Sequence, residues 1–363
     1  MGFQLRQFHA PDFTQERFLR APEAKLVEAP CDHAAPSNYH AMSIFPEYFK
    51  IKGEWLLAEE SRMDCVAVYE GGKIHVREFR MLKKGDLVVT GRAEDGSEGI
   101  YVHPDGFNEG GGNGPEVFAF RQGRSRETGF SKDYQELVEL LKHDRDHGKI
   151  VWVAGPALCF DGGAREAVGK LVANGYVHTL MAGNALATHD LEGGWLHTAL
   201  GQDIHTTQNV PLGHYNHLDT INRVRQCGSI PAFLEAEGVN TGIIYNCVKK
   251  NVPFVLCGSI RDDGPLPEVI ADVYAGQNRM RDEIRGATTV ICLATMLHSI
   301  AVGNMTPSYR VMPDGTVRQI YFYCVDTAEF TVNKLSDRGS LSAKGIVTNV
   351  QDFVIGLSRS LGL

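Results

Sequence analysis

The chain is predicted to be an α/β protein: a doubly wound, mainly parallel sheet preceded by a small β-rich domain. Three observations carry this reading. After Lys149, apolar runs at 150–154, 177–182, 252–257, 289–294, 320–325 and 346–348 alternate with helical patterns at 163–174, 214–226, 240–251, 266–284 and 328–336. Before residue 104 the texture is instead one of short strands and turns. A glycine-rich stretch at 106–115 separates the two textures. Strands alternating with helices build a parallel sheet that is covered on both faces.

In chain order, the first thirty-odd residues read as irregular, interrupted by Pro11, Pro22, Pro30 and Pro36. Residues 55–103 read as β-rich. Within them, 64–69 and 73–77 flank Gly71-Gly72, which is a hairpin signal. Strands are expected at 86–90 and 99–103, separated by a turn at 94–97. The stretch 106–115 reads as a linker or a lid, and no Gly-Lys-Ser/Thr follows to make it a phosphate loop. Residues 134–143 place Leu137, Val138, Leu140 and Leu141 near one helix face. The expected division is a β-rich N-terminal substrate or specificity domain over 1–125, a connecting helix over 126–148 and the α/β domain over 149–363.

The chain has 363 residues, 43% of them hydrophobic and 22% charged, which is ordinary for a globular protein long enough for two cores. A net charge of −8 without any basic run argues against a nucleic-acid or anionic-membrane surface. Eight cysteines without a C-x-x-C pair suit a reducing compartment. The N-terminus lacks a basic-then-apolar leader, and no apolar run reaches membrane-spanning length. The expected location is the cytoplasm.

In a sheet of this kind, ligands bind at the loops that follow the strands, and 181–190 reads as one of these loops. Residues 258–264, Gly-Ser-Ile-Arg-Asp-Asp-Gly, follow an apolar strand and precede a helical pattern. Asp262 and Asp263 there can handle amines, cations or protons, or can cap a helix. Asp326 ends another strand and can bind a ribose hydroxyl or cap the following helix. His298 lies one turn into the helix after the 289–294 strand and is a candidate proton carrier. His205, His214 and His217 form a cluster in which His214 and His217 could share a helix face, but no third ligand has a metal-binding spacing, so no metal is expected. Cys257 and Cys292 read as core. The Gly-x-Gly-x-x-Gly fingerprint of ordinary dinucleotide-binding dehydrogenases is absent.

Several strings carry a family resemblance: Asn184 to Asp190 (NALATHD), Tyr215 to Asn222 (YNHLDTIN), Gly258 to Pro267 (GSIRDDGPLP), Leu293 to Asn304 (LATMLHSIAVGN) and Asp337 to Ser340 (DRGS). Over about residues 149–355 the chain resembles the archaeal-type ornithine cyclodeaminases, also known as the LOR/SDH conserved-region family. The N-terminal region shares only the family's β-rich character. The resemblance implies an NAD-binding domain similar to that of deoxyhypusine synthase, working as a homo-oligomer, a dimer or tetramer. It implies NAD held by Gly155, Pro156, Ala182, Gly183, Asn184, Ser259, Ala294, Thr295, Met296, Asp326, Thr327, Thr348 and Asn349. Lys334 and Lys344 do not occupy the position of the catalytic lysine of deoxyhypusine synthase. The implied reaction turns L-ornithine into L-proline and ammonia while NAD is recycled. In it, Asp262 and Asp263 would hold the distal ammonium, Arg261 the substrate carboxylate, and His298 would shuttle protons at the departing amine. Other readings are an NAD-dependent amino-acid dehydrogenase or imine reductase and, outside enzymes, an NAD-bound regulatory protein.

Overall fold

The computed structural model describes residues 4–107, 131–260, 262, 264–336 and 341–363. Six strands form its main sheet: β1 (Ile150–Ala154), β2 (Thr179–Gly183), β3 (Phe254–Cys257), β4 (Thr289–Leu293), β5 (Tyr321–Asp326) and β6 (Ala343–Val347). All pairings are parallel and the spatial order is β3-β2-β1-β4-β5-β6. This is the strand order of dinucleotide-binding doubly wound folds, reached here without their glycine fingerprint.

Among the described residues ten helices accompany the sheet: α1 (Ser131–His147), α2 (Gly162–Ala173), α3 (Asn184–Trp195), α4 (Asn216–Cys227), α5 (Ile230–Ala236), α6 (Ile243–Lys250), α7 (Val273–Ile284), α8 (Met296–Met305), α9 (Glu329–Ser336) and α10 (Val350–Ser360). Alternation along the strands explains why both faces are apolar. Trp152, Leu180, Leu256 and Ile291 pack with Leu140 of α1, Leu171 of α2, Ile243 of α6 and Phe353 of α10. Val151, Val153, Val290 and Cys292 pack with Met280 of α7, Val302 of α8 and Leu335 of α9. Trp152 is fully buried and donates its indole N–H to Tyr176 O at 2.9 Å, so its one polar atom is satisfied.

Three expectations about the elements need correction. Residues 184–190 are the start of α3, not a loop, because Leu186, Ala187 and Leu191 recur at helical spacing on a buried side. The helix after the 258–264 segment begins at Val273, not near Leu266. Pro265 and Pro267 delay it, Ile270 first bridges in parallel to Cys257, and Asp272 caps the helix by accepting from Ala275 N at 2.6 Å. The first thirty residues are not wholly irregular: Glu16–Leu19 is a helical turn and Lys25–Glu28 a strand.

The N-terminal region is β-rich, as expected, but its strands begin before residue 55, at Lys25–Glu28 and Glu47–Ile51. One antiparallel sheet runs Lys25–Glu28, Leu87–Thr90, Val66–Glu70, Lys73–Arg77, and a second runs Glu54–Leu57, Glu47–Ile51, Ile100–Val102. Gly71 and Gly72 both have positive φ, 59° and 86°, which closes the predicted hairpin. Most of the 106–115 stretch, and residues 126–130 of the expected connecting helix, lie outside the described residues.

A hairpin of Tyr309–Val311 and Val317–Gln319, placed between α8 and β5, joins the two halves. Arg310 bridges Glu60 in antiparallel fashion, and Tyr309 Oη donates to Ala58 O at 2.9 Å. Glu78 receives Arg62 and Arg281, Arg62 reaches Met305 O at 3.4 Å, and Arg80 donates to Asn278 at 2.9 Å. These contacts run along α7 and reach the C-terminal end of α8. That end lies about 15 Å from the strand tip where this ten-residue helix begins.

Candidate functional site

The chain leaves β1 toward β2 on one side, while β4 lies on the other side of β1. Connections departing in opposite directions from adjacent strand ends leave a crevice, the expected ligand position in an open α/β sheet. Its floor is tightly built. Gly155 N donates to Leu293 O at 2.8 Å, and a Cβ at Gly155 would fall 1.9 Å from Ala294 O. No larger residue fits there without moving the β4 tip. Ala294 takes a left-handed φ of 46° and donates its N–H to Val325 O at 3.1 Å. That sharp turn lets α8 start immediately afterwards, at Met296.

The helix starts along this edge are of two kinds. Helix α2 is capped by Asp161, which accepts from Ala164 N at 2.7 Å, and α10 is capped by Asn349, which accepts from Gln351 N at 2.8 Å. Helices α3 and α8 have Gly183 and Thr295 at their cap positions, with no side-chain cap bond. Their first amides are therefore available to an anion. The two starts are neighbours: a Cβ at Gly183 would lie 3.1 Å from His298 Cε1. Open helix starts, small residues at the tips and an imidazole between them fit a dinucleotide, whose pyrophosphate needs close backbone N–H groups.

His298 is mostly buried, with Nδ1 3.3 Å from Thr295 Oγ1. Burial lowers its pKa below the ordinary histidine value, and the negative charge of Asp262 only partly opposes this. The ring is neutral at pH 7 and can accept a proton. Asp262 folds back on its own turn: Oδ2 accepts from Ser259 N at 2.8 Å and its N–H donates to Ser259 O at 3.2 Å. Arg261 and Asp263, expected beside it, lie outside the described residues.

The remaining expected residues divide by position. Pro156 opens a 3-10 turn over Pro156–Cys159. Ala182 is fully buried beneath the β2 tip, so its side chain is core. Asn184 is also buried and accepts from Leu266 N at 3.0 Å, tying the segment after β3 to the start of α3. Ser259, Met296 and Thr327 are exposed. Asp326 accepts from Ala328 N at 2.9 Å, the capping alternative, and Thr348 N donates to Asp326 O at 3.1 Å, linking the β5 and β6 tips. Burial pushes the Cys257 thiol up to about 11 and the Cys292 thiol well above its ordinary value, as expected of core cysteines. Lys344 pairs with Glu136 and Asp133. Among the described residues no group of three or more His, Cys, Asp or Glu is arranged to hold a metal.

One constellation escaped the sequence reading. His189 Nδ1 lies 2.8 Å from Oε2 of the fully buried Glu192, and Thr198 Oγ1 donates to Glu192 Oε1 at 2.8 Å. Asn216 Nδ2 in turn donates to Thr198 Oγ1 at 2.8 Å. The His189 ring meets Phe160 edge-on, with centroids 5.3 Å apart, and lies 6.1 Å from the ring of His217. Reading 184–190 as a loop hid the signal, since only a helix brings positions 189 and 192 together.

Residues 135–357 match the family model described as arginine dihydrolase ArgZ-like, C-terminal, Rossmann fold. The ornithine cyclodeaminase of Methanocaldococcus jannaschii is 40% identical over 349 residues, covering 93% of this chain and 78% of that protein. The chain belongs to the ornithine cyclodeaminase family. A crystal structure of a conserved LOR/SDH protein from Methanococcus maripaludis S2 matches with a TM-score of 0.84 and 34% identity, covering 94% of this chain and 98% of that one. The ternary complex of AgrE with ornithine and NAD+ matches with a TM-score of 0.58 and 34% identity, over 94% of this chain but 46% of AgrE. The cyclodeaminase family membership thus extends across both halves of the chain, including the N-terminal half whose sequence resembled it least.

Proposed function

We propose that this protein is an NAD-dependent ornithine cyclodeaminase that converts L-ornithine into L-proline and ammonia. The observation that carries the site assignment is His298 set against Gly183, between two uncapped helix starts at the β1/β4 crevice. Kinship to the M. jannaschii enzyme, and to a structure holding ornithine with NAD+, supports the substrate and the cofactor. NAD, when bound, supplies a hydride acceptor and later returns the hydride, so the net reaction is redox-neutral.

The amides at the starts of α3 and α8 hold the pyrophosphate, and Gly155, Gly183 and Ala294 allow the close approach. Neutral His298 takes the proton from the α-ammonium, which must be lost before that carbon can be oxidised, and returns it as ammonia departs. Asp262 keeps negative charge near His298 and the cationic substrate. Arg261 and Asp263 are proposed to hold the substrate carboxylate and distal ammonium respectively. Ring closure needs the distal ammonium to lose a proton and the amine so formed to be held near the oxidised carbon, a step that proximity strongly favours.

The enzyme is proposed to be cytoplasmic and homo-oligomeric. Among the described residues no helix is long and apolar enough to cross a membrane. Ile260, Leu297 and Phe330, exposed near the strand tips, provide apolar surface for a second copy.

The test is incubation of the protein with L-ornithine and a catalytic amount of NAD. Proline and ammonia in equal amounts without net NADH are expected. Accumulating NADH would identify a dehydrogenase instead, and untouched ornithine would remove the substrate assignment.

A further inference from the structure

The strings at 184–190 and 215–222 carried family resemblance but no assignable chemistry, and in the fold they meet. His189 comes from the first; Asn216 and His217 come from the second. Between them lie Glu192 and Thr198, both buried, which form one hydrogen-bonded chain with His189 and Asn216.

Building this chain costs stability unless something offsets it. Glu192 is a fully buried carboxylate. Among the described residues its hydrogen-bond partners are one hydroxyl and one imidazole, with no arginine or lysine. Elsewhere the same helix shows how a structural carboxylate is satisfied. Asp190 accepts from the N–H groups of Ile243 and Ile244 at 2.9 and 2.7 Å and pairs with Arg165 at 2.8 Å. That contact also fixes α3 against α2 and α6, so the preceding residue, His189, is held on a rigid support.

The hydrogen bond to Glu192 places the proton of the neutral ring on Nδ1, leaving Nε2 as a free acceptor. A ring oriented by a buried carboxylate is the arrangement of a general base whose charged form is stabilised when it forms. The location suits this role. Helix α3 starts at Gly183, against His298, and Phe160 directly follows the Pro156–Cys159 turn at the end of β1.

Resting on the cyclodeaminase reading, we propose that His189, oriented by Glu192, is a second proton carrier, one that serves the distal amine of the substrate. Nε2 takes one proton from the distal ammonium, and the nitrogen lone pair so exposed forms the new C–N bond to the oxidised α-carbon. Of the protons held by His298 and His189, one goes to the departing nitrogen and the other to the ring nitrogen of proline, so protons balance and no oxidant or reductant beyond the recycled hydride is required. Glu192 is a positioning residue, and Thr198 with Asn216 fixes its orientation.

The experiment compares the full-length wild type with His189→Gln and Glu192→Gln. Its readouts are ornithine turnover against pH, NAD binding and thermal unfolding. His189→Gln is expected to lower kcat about a hundredfold or more while NAD affinity is retained. Glu192→Gln removes the charge that favours the protonated ring, so the acid limb of its kcat/KM profile should move to lower pH. A purely structural role would not move that limb, and this readout decides the matter if His189→Gln does not fold. Turnover by His189→Gln within about threefold of wild type, or an unmoved acid limb in Glu192→Gln, overturns the proposal while leaving the cyclodeaminase reading intact. A wild type inert toward ornithine overturns both.

Discussion

The two ends of the parallel sheet are built on opposite plans. At the end where the strands begin, the polar groups around Asp144 are tied to one another, although buried Arg318 Nε and the Gln319 amide lack a hydrogen-bond partner among the described residues. Asp144 of α1 is fully buried and accepts from Thr288 Oγ1 at 2.6 Å and Thr289 Oγ1 at 2.8 Å, while Arg318 and His143 also contact it. At the end where the strands finish, two helix starts have no side-chain cap, and His298 makes a 3.3 Å side-chain contact with Thr295. One end is pinned, and the other presents donors to a ligand. Groups that are satisfied internally stabilise the fold but have nothing left with which to bind. Mutations at the two ends should therefore separate stability from activity.

The largest stability effect is expected at the pinned end. Asp144→Ala leaves Arg318 buried without its carboxylate and should cost about 3–5 kcal/mol in denaturant unfolding. The same site sets acid sensitivity. Burial pushes the Asp144 carboxyl up, but Arg318, Thr288 and His143 outweigh it and hold the pKa below the usual carboxylate value. The folded pKa is depressed, so this contribution is present above about pH 4 and is lost as pH falls through the folded value. Urea titrations between pH 6 and pH 3 should show the loss in the wild type and a smaller one in Asp144→Asn.

At the ligand end, His298→Asn should lower kcat about a hundredfold or more with little change in unfolding. If it instead destabilises the fold strongly and spares turnover, the contrast between the ends fails. Because its folded pKa is depressed, His298 remains neutral below the pH at which a free histidine protonates. Fold stability should decline below about pH 6.5 as the charged ring becomes favoured in the unfolded chain. His298→Asn should lack that part of the pH dependence.

Gly155→Ala tests the floor between the two ends. With its Cβ 1.9 Å from Ala294 O, the β4 tip must shift. A loss of about 1–3 kcal/mol is expected, together with weakened NAD binding by calorimetry. The smallest effect is expected at the closed helix start: Asp161→Ala should cost about 1 kcal/mol through the lost cap, with NAD affinity unchanged. A large loss of NAD affinity there would mean that α2, not α3 or α8, faces the phosphates.

Much of this was legible in the sequence, and what was not has a physical cause. The six main strands were readable because a sheet buried on both faces writes them as continuous apolar runs, and β1 was read with its observed bounds, 150–154. Helix α3 was not, since its first turn is small and polar and begins without a gap after β2. The hairpin 309–319 was hidden because its strands are three residues long and one partner, Glu60, is remote in sequence. His298 and Gly183 were expected at strand ends, the usual ligand position, and the structure sets them beside each other there. The Glu192–Thr198–Asn216 chain could not, because its members come from separate elements. Asp326 and Asn349 were foreseen as cofactor contacts; their described bonds are caps to nearby amides, which short polar residues at strand ends make equally well.

In the proposed reaction a hydride leaves the substrate and returns to the same carbon while the crevice holds the dinucleotide. The most direct test is turnover of L-ornithine deuterated at the α-carbon, with unlabelled NAD in catalytic amount and proline analysed by mass spectrometry. The account predicts proline that retains the deuterium at its α-carbon, with no reduced cofactor accumulating. Loss of the label to solvent, or its build-up in reduced NAD, would contradict it.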